Sequence, residues 1–325
     1  MKYFLIMNPM SRGGRSQRKF QQIFTLLKKY NIDYKFIVTQ SIQGARDFSR
    51  RANETNYDCI VAIGGDGTIN AVINGFYDDN GNRISQAKMG VIYTGTSPDF
   101  CKSYNIPLNL EQAVKILKES NISQVRIGKV TFSVNSSPSD DFNEKSRECF
   151  FKTNYFACCL NIGLGAALAR QANGGIRKYL GDAIGTFISL LKVLATYNPG
   201  SFNILRDNKK VSSDNLFNLS IGITPFIASG IKINHGLSDM EDKFYCLIAK
   251  AIKMKILPGL LYKIYSGRVI KNTSYLTLDF CTTIEISGNG ICQEIEFDGD
   301  PHGYLPCRIE MAGSYLDLIT GSPVL

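Results

Sequence analysis

Hydrophobic positions recur with two different periods along residues 1–123. Short apolar runs that end in polar or turn residues predict strands at 2–9, 33–39, 58–63 and 88–94. Between these runs, apolar residues at three- and four-residue spacing predict helices at 16–30, 43–53 and 68–77. Successive strand–helix units joined by short links favour an α/β domain with a doubly wound, mostly parallel sheet.

From residue 124 onwards, the pattern changes to runs that are typical of β-strands. Examples are YFACCLNIG, NLSIGITPF, FYCLIAK, TIEISG and SYLDLIT. They predict a mainly antiparallel, β-rich second domain with one helix at about 176–197 and a polar hairpin insertion at 135–148. We therefore divide the chain into an α/β domain, residues 1–123, and a β-rich domain, residues 124–325.

Composition places the chain among ordinary globular proteins of about two domains. It has 325 residues, of which 44% are hydrophobic and 20% charged, and a formal net charge of +9. The positive charge suggests an anionic partner, although a mildly basic protein without such a partner has the same composition. The sequence contains no apolar run of ~18 residues and no signal peptide, so we expect no transmembrane segment.

The cysteine and histidine content limits the kinds of functional site that we expect in this chain. The nine cysteines are scattered and form no CxxC pair, which is typical of reduced, buried thiols. The two histidines, His235 and His302, lie far apart in sequence, which argues against a zinc site or a Ser-His-Asp triad. We therefore expect a cytoplasmic protein.

The segment GGDGTIN, residues 64–70, follows a predicted strand and opens a predicted helix. Its glycines permit close backbone approach, and N–H groups at a helix start bind phosphate. The segment is neither a Walker loop nor a GxGxxG motif. Asp66 would repel a phosphate, so its presence indicates a divalent cation or an ordered water network beside the phosphates. A glycine turn that only links the strand to the helix is the alternative.

Two further loops follow strands of the same predicted sheet. NPMSRGGR, residues 8–15, places Arg12 and Arg15 beside two glycines, and YTGTSPDF, residues 93–100, carries Asp99. Because the carboxyl ends of parallel strands meet at one edge of a sheet, we expect these loops to lie beside the GGDGT turn. A solvated basic loop is the alternative interpretation of the first of them.

NP…SRGG, GGDGTIN, GTSPDF and EFDGDPHGYLP occur together in an order and spacing that resembles the diacylglycerol kinase catalytic family, in particular its soluble bacterial lipid kinases. GGDGT is shared with NAD kinases, whereas the late DGD element is more discriminating. The resemblance implies a kinase of lipid metabolism and phospholipid biosynthesis that uses ATP and Mg²⁺, with its active site in the cleft between the two domains. It also implies a lipid substrate at the inner face of a membrane and no nucleic-acid partner, and it leaves the oligomeric state open, a homodimer included.

The same resemblance implies site residues, position by position. The family's nucleotide contacts fall on Asn8, Pro9, Met10, Ser11, Arg12, Thr39, Gly64, Gly65, Asp66, Gly67, Thr68, Ile69, Asn70 and Thr96. The family's catalytic base lies in a DGE triplet, which gives Asp300 that role here, with Asp298 beside it and Asp66 as the third catalytic acid. The family's structural magnesium site falls on Asp239, Asp242 and Phe244.

Two departures from the family pattern keep other functions open. Pro98 stands where the family has Asn, and Asp300 is a methylene shorter than the usual Glu. An NAD kinase and a catalytically silent nucleotide-binding relative are therefore the alternatives, and a simple hairpin with acidic turn residues is the alternative for the DGD element.

The stretch 243–278 contains seven basic residues and no acid, so its charge is strongly positive. Interleaved apolar residues make it a candidate for contact with an anionic bilayer. A helix that packs in the core with solvated lysines is the alternative.

Overall fold

The computed structural model describes residues 1–134, 151–171, 193, 197–227, 231–234, 242–250, 252, 256, 259, 266–288 and 293–321. The hairpin insertion predicted at 135–148 and almost all of the helix predicted at 176–197 lie outside the described residues. The chain divides into two compact units. The first comprises Met1–Ile127 with Ala312–Leu325, and the second comprises Gly128–Met311.

The helices of the described residues are α1 (Phe20–Lys29), α2 (Ile42–Glu54), α3 (Asp66–Asn74), α4 (Asp99–Ser103), α5 (Leu110–Glu119) and α6 (Leu164–Gln171). The strands are β1 (Tyr3–Met7), β2 (Tyr34–Val38), β3 (Cys59–Gly64), β4 (Lys88–Tyr93), β5 (Ile122–Val125), β6 (Gly128–Ser133), β7 (Phe151–Phe156), β8 (Cys159–Gly163), β9 (Gly200–Arg206), β10 (Lys209–Gly222), β11 (Phe226–Ile227), β12 (Ile231–Lys232), β13 (Phe244–Lys250), β14 (Leu276–Cys281), β15 (Thr283–Gly288), β16 (Glu294–Phe297), β17 (Asp300–Met311) and β18 (Leu316–Ile319).

The first unit contains a six-stranded sheet in the order β2-β1-β3-β4-β18-β5. Strands β1 to β4 are mutually parallel, β18 is parallel to β4, and β5 is antiparallel to β18. β3 is buried at all six positions, as expected of a central strand covered on both faces. The predicted α/β domain with a mostly parallel sheet is thereby confirmed.

Local signals set the ends of the surrounding helices. The Ser41 side chain accepts a hydrogen bond from the Gly44 N–H at the start of α2, and Asn109 caps α5 in the same way. α5 ends at Ser120, which has a left-handed φ of 57°. These caps determine where the helices begin and end, while their apolar faces pack on the sheet.

The last strand returns to the first unit. Leu316, Leu318 and Ile319 of β18 are fully buried, because β18 fills the place between β4 and β5. The sequence-based division assigned residues 124–325 to one domain, and the structure differs at both ends of that range. Alternating apolar residues predict a strand but do not tell which sheet the strand joins.

The second unit contains a ten-stranded sheet whose described pairings are all antiparallel. Its order is β14-β13-β10-β8-β16-β17-β15-β9, and β9 also pairs with β10, which closes the sheet into a barrel. The predicted antiparallel, β-rich domain is confirmed.

Side chains alternate between the two faces of the barrel sheet. The interior is filled by buried apolar residues, among them Leu160, Ile162, Leu219, Ile221, Ile295 and Phe297. The positions between them on β8, β10 and β16 therefore point away from the interior, and there the residues are largely polar. α6 follows β8 directly and packs against this outer face.

Candidate functional site

The first unit places its loops at a topological switch point. β1 lies between β2 and β3, and the chain passes from β1 to β2 on one side before it returns to β3 on the other. The chain therefore leaves β1 and β3 in opposite directions across the sheet, and the loops that follow them lie at its carboxyl edge, where doubly wound folds bind their ligands. The loops after β2 and β4 lie at the same edge, because all four strands are parallel.

The loop after β1 is a tight, left-handed turn. Arg12, Gly13 and Gly14 have φ values of 55°, 65° and 87°. The Gly14 N–H donates to the Met10 carbonyl at 3.1 Å, and the Met10 N–H donates to Asn8 Oδ1 at 3.0 Å. Consecutive left-handed residues turn successive N–H groups to one side, a backbone form that binds anions. The arginine side chain is exposed and adds positive charge.

The loop after β3 opens directly into α3. Gly65 is the N-cap residue, with φ −99° and ψ −172°, and it provides no side-chain cap. Asp66 is the first helical residue and is half-buried. The Asn8 amide donates to Thr68 Oγ1 at 2.9 Å, which ties this turn to the loop after β1. A helix start without a side-chain cap, next to a left-handed turn, is a site suited to phosphate.

Two glycines bring the loops after β3 and β4 into contact. A Cβ atom on Gly95 would lie 2.5 Å from the Gly65 Cα, and one on Gly65 would lie 3.1 Å from Ser11 Oγ. Below them, the buried hydroxyls of Ser16 and Thr94 share a hydrogen bond of 2.6 Å. Three loops thus converge with no room for side chains at their contact. Sequence analysis missed the Ser16–Thr94 pair, since single hydroxyl residues carry no motif.

The predicted nucleotide contacts fall into two groups. Asn8, Pro9 and Ser11 and the glycine-turn residues Gly64 to Gly67 lie on the converging loops with Met10 and Arg12, and Thr96 is exposed on the loop after β4. The side chains of Thr39, Thr68, Ile69 and Asn70 are buried, and Thr39 Oγ1 donates to the Ser41 carbonyl at 2.7 Å. Members of the second group would therefore shape the loops or contact a ligand through the backbone.

Asp66 is the carboxylate nearest to these glycines in sequence, and α4 lies close to it. Burial raises the pKa of the Cys101 thiol well above its usual value, and the negative charge of Asp66 adds to the increase. In the part of the chain that the structure describes, no three His, Cys, Asp or Glu side chains form a metal cluster. One carboxylate beside a phosphate site fits Mg²⁺, which is commonly bound through one or two carboxylates together with substrate phosphates.

Pro98 occupies the N-cap position of α4, and this helix has no side-chain cap. An Asn in this place, as in the family pattern, could accept a hydrogen bond from the first turn. Asp99 follows as the first helical residue, where its negative charge interacts favourably with the helix dipole. The departure from the family pattern therefore falls at a helix cap.

In the second unit, the DGD element is a two-residue hairpin turn. Phe297 of β16 pairs with Asp300 of β17, and Asp298 and Gly299 between them have φ values of 51° and 93°. Two left-handed residues in succession are typical of the type I′ turn, which Asp-Gly sequences favour. Asp300 is half-buried at the first position of β17.

The Asp298 carboxylate binds the neighbouring backbone. Its oxygens accept hydrogen bonds from the N–H groups of Ala157 and Cys158, each at 2.8 Å, and the Asp298 N–H donates to the Cys159 carbonyl at 3.0 Å. A carboxylate that accepts such bonds on both oxygens holds the β7–β8 turn against the DGD turn. This geometry favours a structural role for Asp298, and it leaves Asp300 as the better candidate for chemistry.

A buried glutamate beneath the turn was missed by the sequence analysis. Glu296 is 4% exposed, and its Oε1 accepts from the Gly299 N–H at 2.6 Å. Burial raises the pKa of Glu296 to about 8, and the charges of Asp298 and Asp300 contribute to the increase. The alternation in EIEF could have indicated it, because Glu296 follows Ile295 at a position facing away from the barrel interior.

The residues of the family's structural magnesium site are only partly described. Asp239 lies outside the described residues, Asp242 is exposed with a left-handed φ of 60°, and Phe244 is buried at the start of β13. The basic stretch 243–278 begins in β13 and ends in β14, and most of its middle lies outside the described residues. The described residues contain no helix long and apolar enough to cross a membrane.

Comparison with known proteins bears on the first unit. Residues 2–130 match the family model of the diacylglycerol kinase catalytic domain. The chain is 30% identical over 126 residues to a diacylglycerol kinase of Staphylococcus saprophyticus, a match covering 39% of this chain and 40% of that protein. A diacylglycerol kinase of Staphylococcus aureus is 32% identical over 126 residues, or 39% of each protein. The chain therefore matches about two fifths of the length of these curated relatives.

Solved structures extend the likeness to the whole fold. A crystal structure described as a diacylglycerol kinase from Bacillus anthracis superposes with a TM-score of 0.69 at 18% identity, covering 100% of this chain and 98% of that one. A yeast NADH kinase complexed with NADH superposes with a TM-score of 0.55 at 9% identity, covering 99% and 84%. At these identities the likeness shows the fold, and the resemblance in sequence is confirmed for residues 2–130.

Proposed function

We propose that this chain, whose residues 2–130 match the family model of the diacylglycerol kinase catalytic domain, is an ATP-dependent lipid kinase that phosphorylates the hydroxyl of diacylglycerol or a similar long-chain alcohol. The observation that carries the proposal is the convergence of the loops after β1, β3 and β4 at the switch point of the parallel sheet. This edge combines uncapped helix amides, tight glycine contacts and exposed arginines, which suit a triphosphate.

Each group has a proposed role in the transfer. The amides of the glycine turn hold the phosphates, and Arg12 and Arg15 offset their negative charge. Asp66 would hold Mg²⁺, which would neutralise phosphate charge during the transfer. The hydroxyl oxygen of the lipid forms a bond to the γ-phosphorus while the bond to the β,γ-bridging oxygen breaks. Asp300 takes the hydroxyl proton, and the products are the lipid phosphate and ADP.

The remaining expectations stay predictions. They are the shared active site of nucleotide and lipid, the structural magnesium site at Asp239, Asp242 and Phe244, peripheral contact with the inner membrane face, and a cytoplasmic location. The positive net charge of +9 supports contact with an anionic bilayer.

Transfer of labelled γ-phosphate to a panel of lipids tests the proposal. The panel contains diacylglycerol, ceramide, a sphingoid base and total cell lipids in mixed micelles. We expect a labelled lipid product with the wild-type chain and a loss of about 100-fold or more in kcat for Asp300→Ala. Asp214→Asn, which alters an exposed carboxylate on β10, is the control and retains activity.

Two outcomes decide against parts of the proposal. Wild-type activity retained by Asp300→Ala would exclude Asp300 as the base. Labelled NADP formed from NAD, with no labelled lipid, would favour the NAD kinase alternative, which the fold likeness to the yeast NADH kinase supports. ATP binding without transfer to any acceptor would favour a catalytically silent relative.

A further inference from the structure

A row of polar side chains crosses three strands on the outer face of the barrel, beneath the DGD turn. Ser220 of β10 lies opposite Asn161 of β8, and Asn161 lies opposite Glu296 of β16. Asn218 precedes Ser220 on the same face of β10. Their side chains form one continuous series of hydrogen bonds, with lengths of 2.6 to 2.8 Å.

The start of this series determines the direction of every bond in it. The Gly165 N–H at the beginning of α6 can only donate, and it donates to Asn218 Oδ1 at 2.7 Å. Asn218 therefore presents its amide nitrogen to Ser220 Oγ, at 2.8 Å. The Ser220 hydroxyl then donates to Asn161 Oδ1 at 2.6 Å.

The series ends on the Glu296 carboxyl. Because Asn161 Oδ1 is occupied by Ser220, Asn161 Nδ2 donates to Glu296 Oε2 at 2.7 Å. The other oxygen, Oε1, accepts from the Gly299 N–H at 2.6 Å. Both oxygens of Glu296 are thus acceptors, and one of them holds the central residue of the Asp298-Gly299-Asp300 turn.

The charge around Glu296 is negative. The titratable and charged groups on the surrounding elements are Cys159, Tyr245, Asp298 and Asp300, with Tyr304 and the Glu294–Arg170 ion pair at the other end of β16. Burial, which is the largest cause, and the neighbouring carboxylates raise the pKa of Glu296, while the two donors lower it. Burial therefore favours the protonated form of Glu296 over the carboxylate.

We propose that Glu296 is a positioning residue for phosphoryl transfer. It holds the Gly299 N–H and thereby sets the orientation of Asp300, and the Asn218–Ser220–Asn161 series holds Glu296 in turn. The inference rests on the proposed function, because it takes Asp300 as the reacting carboxylate. It assigns a role in the reaction to side chains that the Asp298-Gly299-Asp300 motif does not include.

An exchange of acid and amide tests this inference. In Glu296→Gln, the one remaining side-chain oxygen can still accept from the Gly299 N–H. The new amide nitrogen then faces Asn161 Nδ2, so that two donors face each other. The series cannot reverse, because the Gly165 N–H requires an acceptor. The double variant Glu296→Gln/Asn161→Asp restores a donor–acceptor pair between the strands. Glu294→Gln, two residues away on the same strand, leaves the series intact and is the matched control.

We expect kcat to fall by about 10- to 100-fold in Glu296→Gln, with the KM for ATP unchanged, because a misplaced catalytic group slows the chemical step. The double variant recovers most of the loss. Asn161→Asp alone places two carboxyl groups face to face, and such a pair is stable only while it shares a proton. We therefore expect the kcat of this variant, relative to that of the wild type, to fall as the pH rises from 6 to 9.

A second readout is independent of activity. Hydrogen exchange of the Gly299 amide reports directly on its bond to Glu296, and we expect faster exchange in Glu296→Gln and Glu296→Ala, with protection restored in the double variant. Absence of lipid phosphorylation by the wild type would reject the proposed function and leave this measurement intact. Unchanged kcat in Glu296→Gln, or unchanged exchange at Gly299 in Glu296→Ala, would overturn the positioning role.

Discussion

Removing the Glu296 carboxyl should change how the stability of the second unit depends on pH. Glu296 is buried in the folded protein, and its pKa there is about 8, against 4.5 for an exposed glutamate. Folding therefore favours the protonated form. Stability from this group is fully present below pH 4.5, declines as the pH rises, and is lost once the pH passes about 8. Glu296→Gln keeps the side-chain size and removes the titration.

The size of the effect follows from the two pKa values. An increase from 4.5 to about 8 corresponds to about 5 kcal/mol between the ends of this range. Within it, the free energy of unfolding falls by about 1.4 kcal/mol per pH unit. His302 acts in the opposite direction, because burial lowers its pKa from 6.5 to about 4, and stability from His302 is lost as the pH falls through that range. Because His302 is present in both proteins, its contribution cancels when the unfolding free energy of the variant is subtracted from that of the wild type.

Urea unfolding followed by far-UV circular dichroism, repeated from pH 5 to pH 9, measures this difference. We expect Glu296→Gln to be less stable than the wild type at pH 5, since two donors then face each other, and to approach or exceed the wild type at pH 9. Glu294→Gln, whose carboxylate pairs with Arg170 near the surface, should show the wild-type dependence. A constant stability difference between Glu296→Gln and wild type across this range would refute the reasoning.

Two further predictions concern the turns of the two candidate sites. Asp298→Asn replaces a carboxylate that accepts backbone N–H groups with an amide that turns one donor toward them, so we expect a loss of about 2–4 kcal/mol in unfolding free energy by urea titration. Asp214→Asn is its control, and an equal effect in both would contradict the assigned role of Asp298. Gly95→Ala places a Cβ 2.5 Å from the Gly65 Cα and should weaken ATP binding by calorimetry about tenfold or more, whereas Gly313→Ala, whose Cβ meets nothing closer than 3.4 Å, should leave binding unchanged. Equal ATP affinity in Gly95→Ala and wild type would show that the loop contact does not shape the site.

Much of the first unit could be predicted from the sequence, because its signals are local. Apolar runs and helical spacing identified the first four strands and the helices between them, and parallel strands place their following loops at one edge. The glycine turn at residues 64–67 needs only the adjacent strand and helix to be recognised. The Asp298–Gly299 turn is likewise local, since two left-handed residues in succession favour this residue pair.

Other features depend on contacts between residues far apart in the chain, and only the tertiary structure decided them. Strand β18 joins the sheet of the first unit, and the second unit begins only after Ile127, because pairing partners decide which sheet a strand belongs to. The binding of the Asp298 carboxylate to the amides of Ala157 and Cys158 crosses about 140 residues of sequence. Glu296 reads in the sequence as an ordinary strand residue. The register of β10, β8 and β16 buries Glu296 and supplies its hydrogen-bond donors, and this burial raises its pKa.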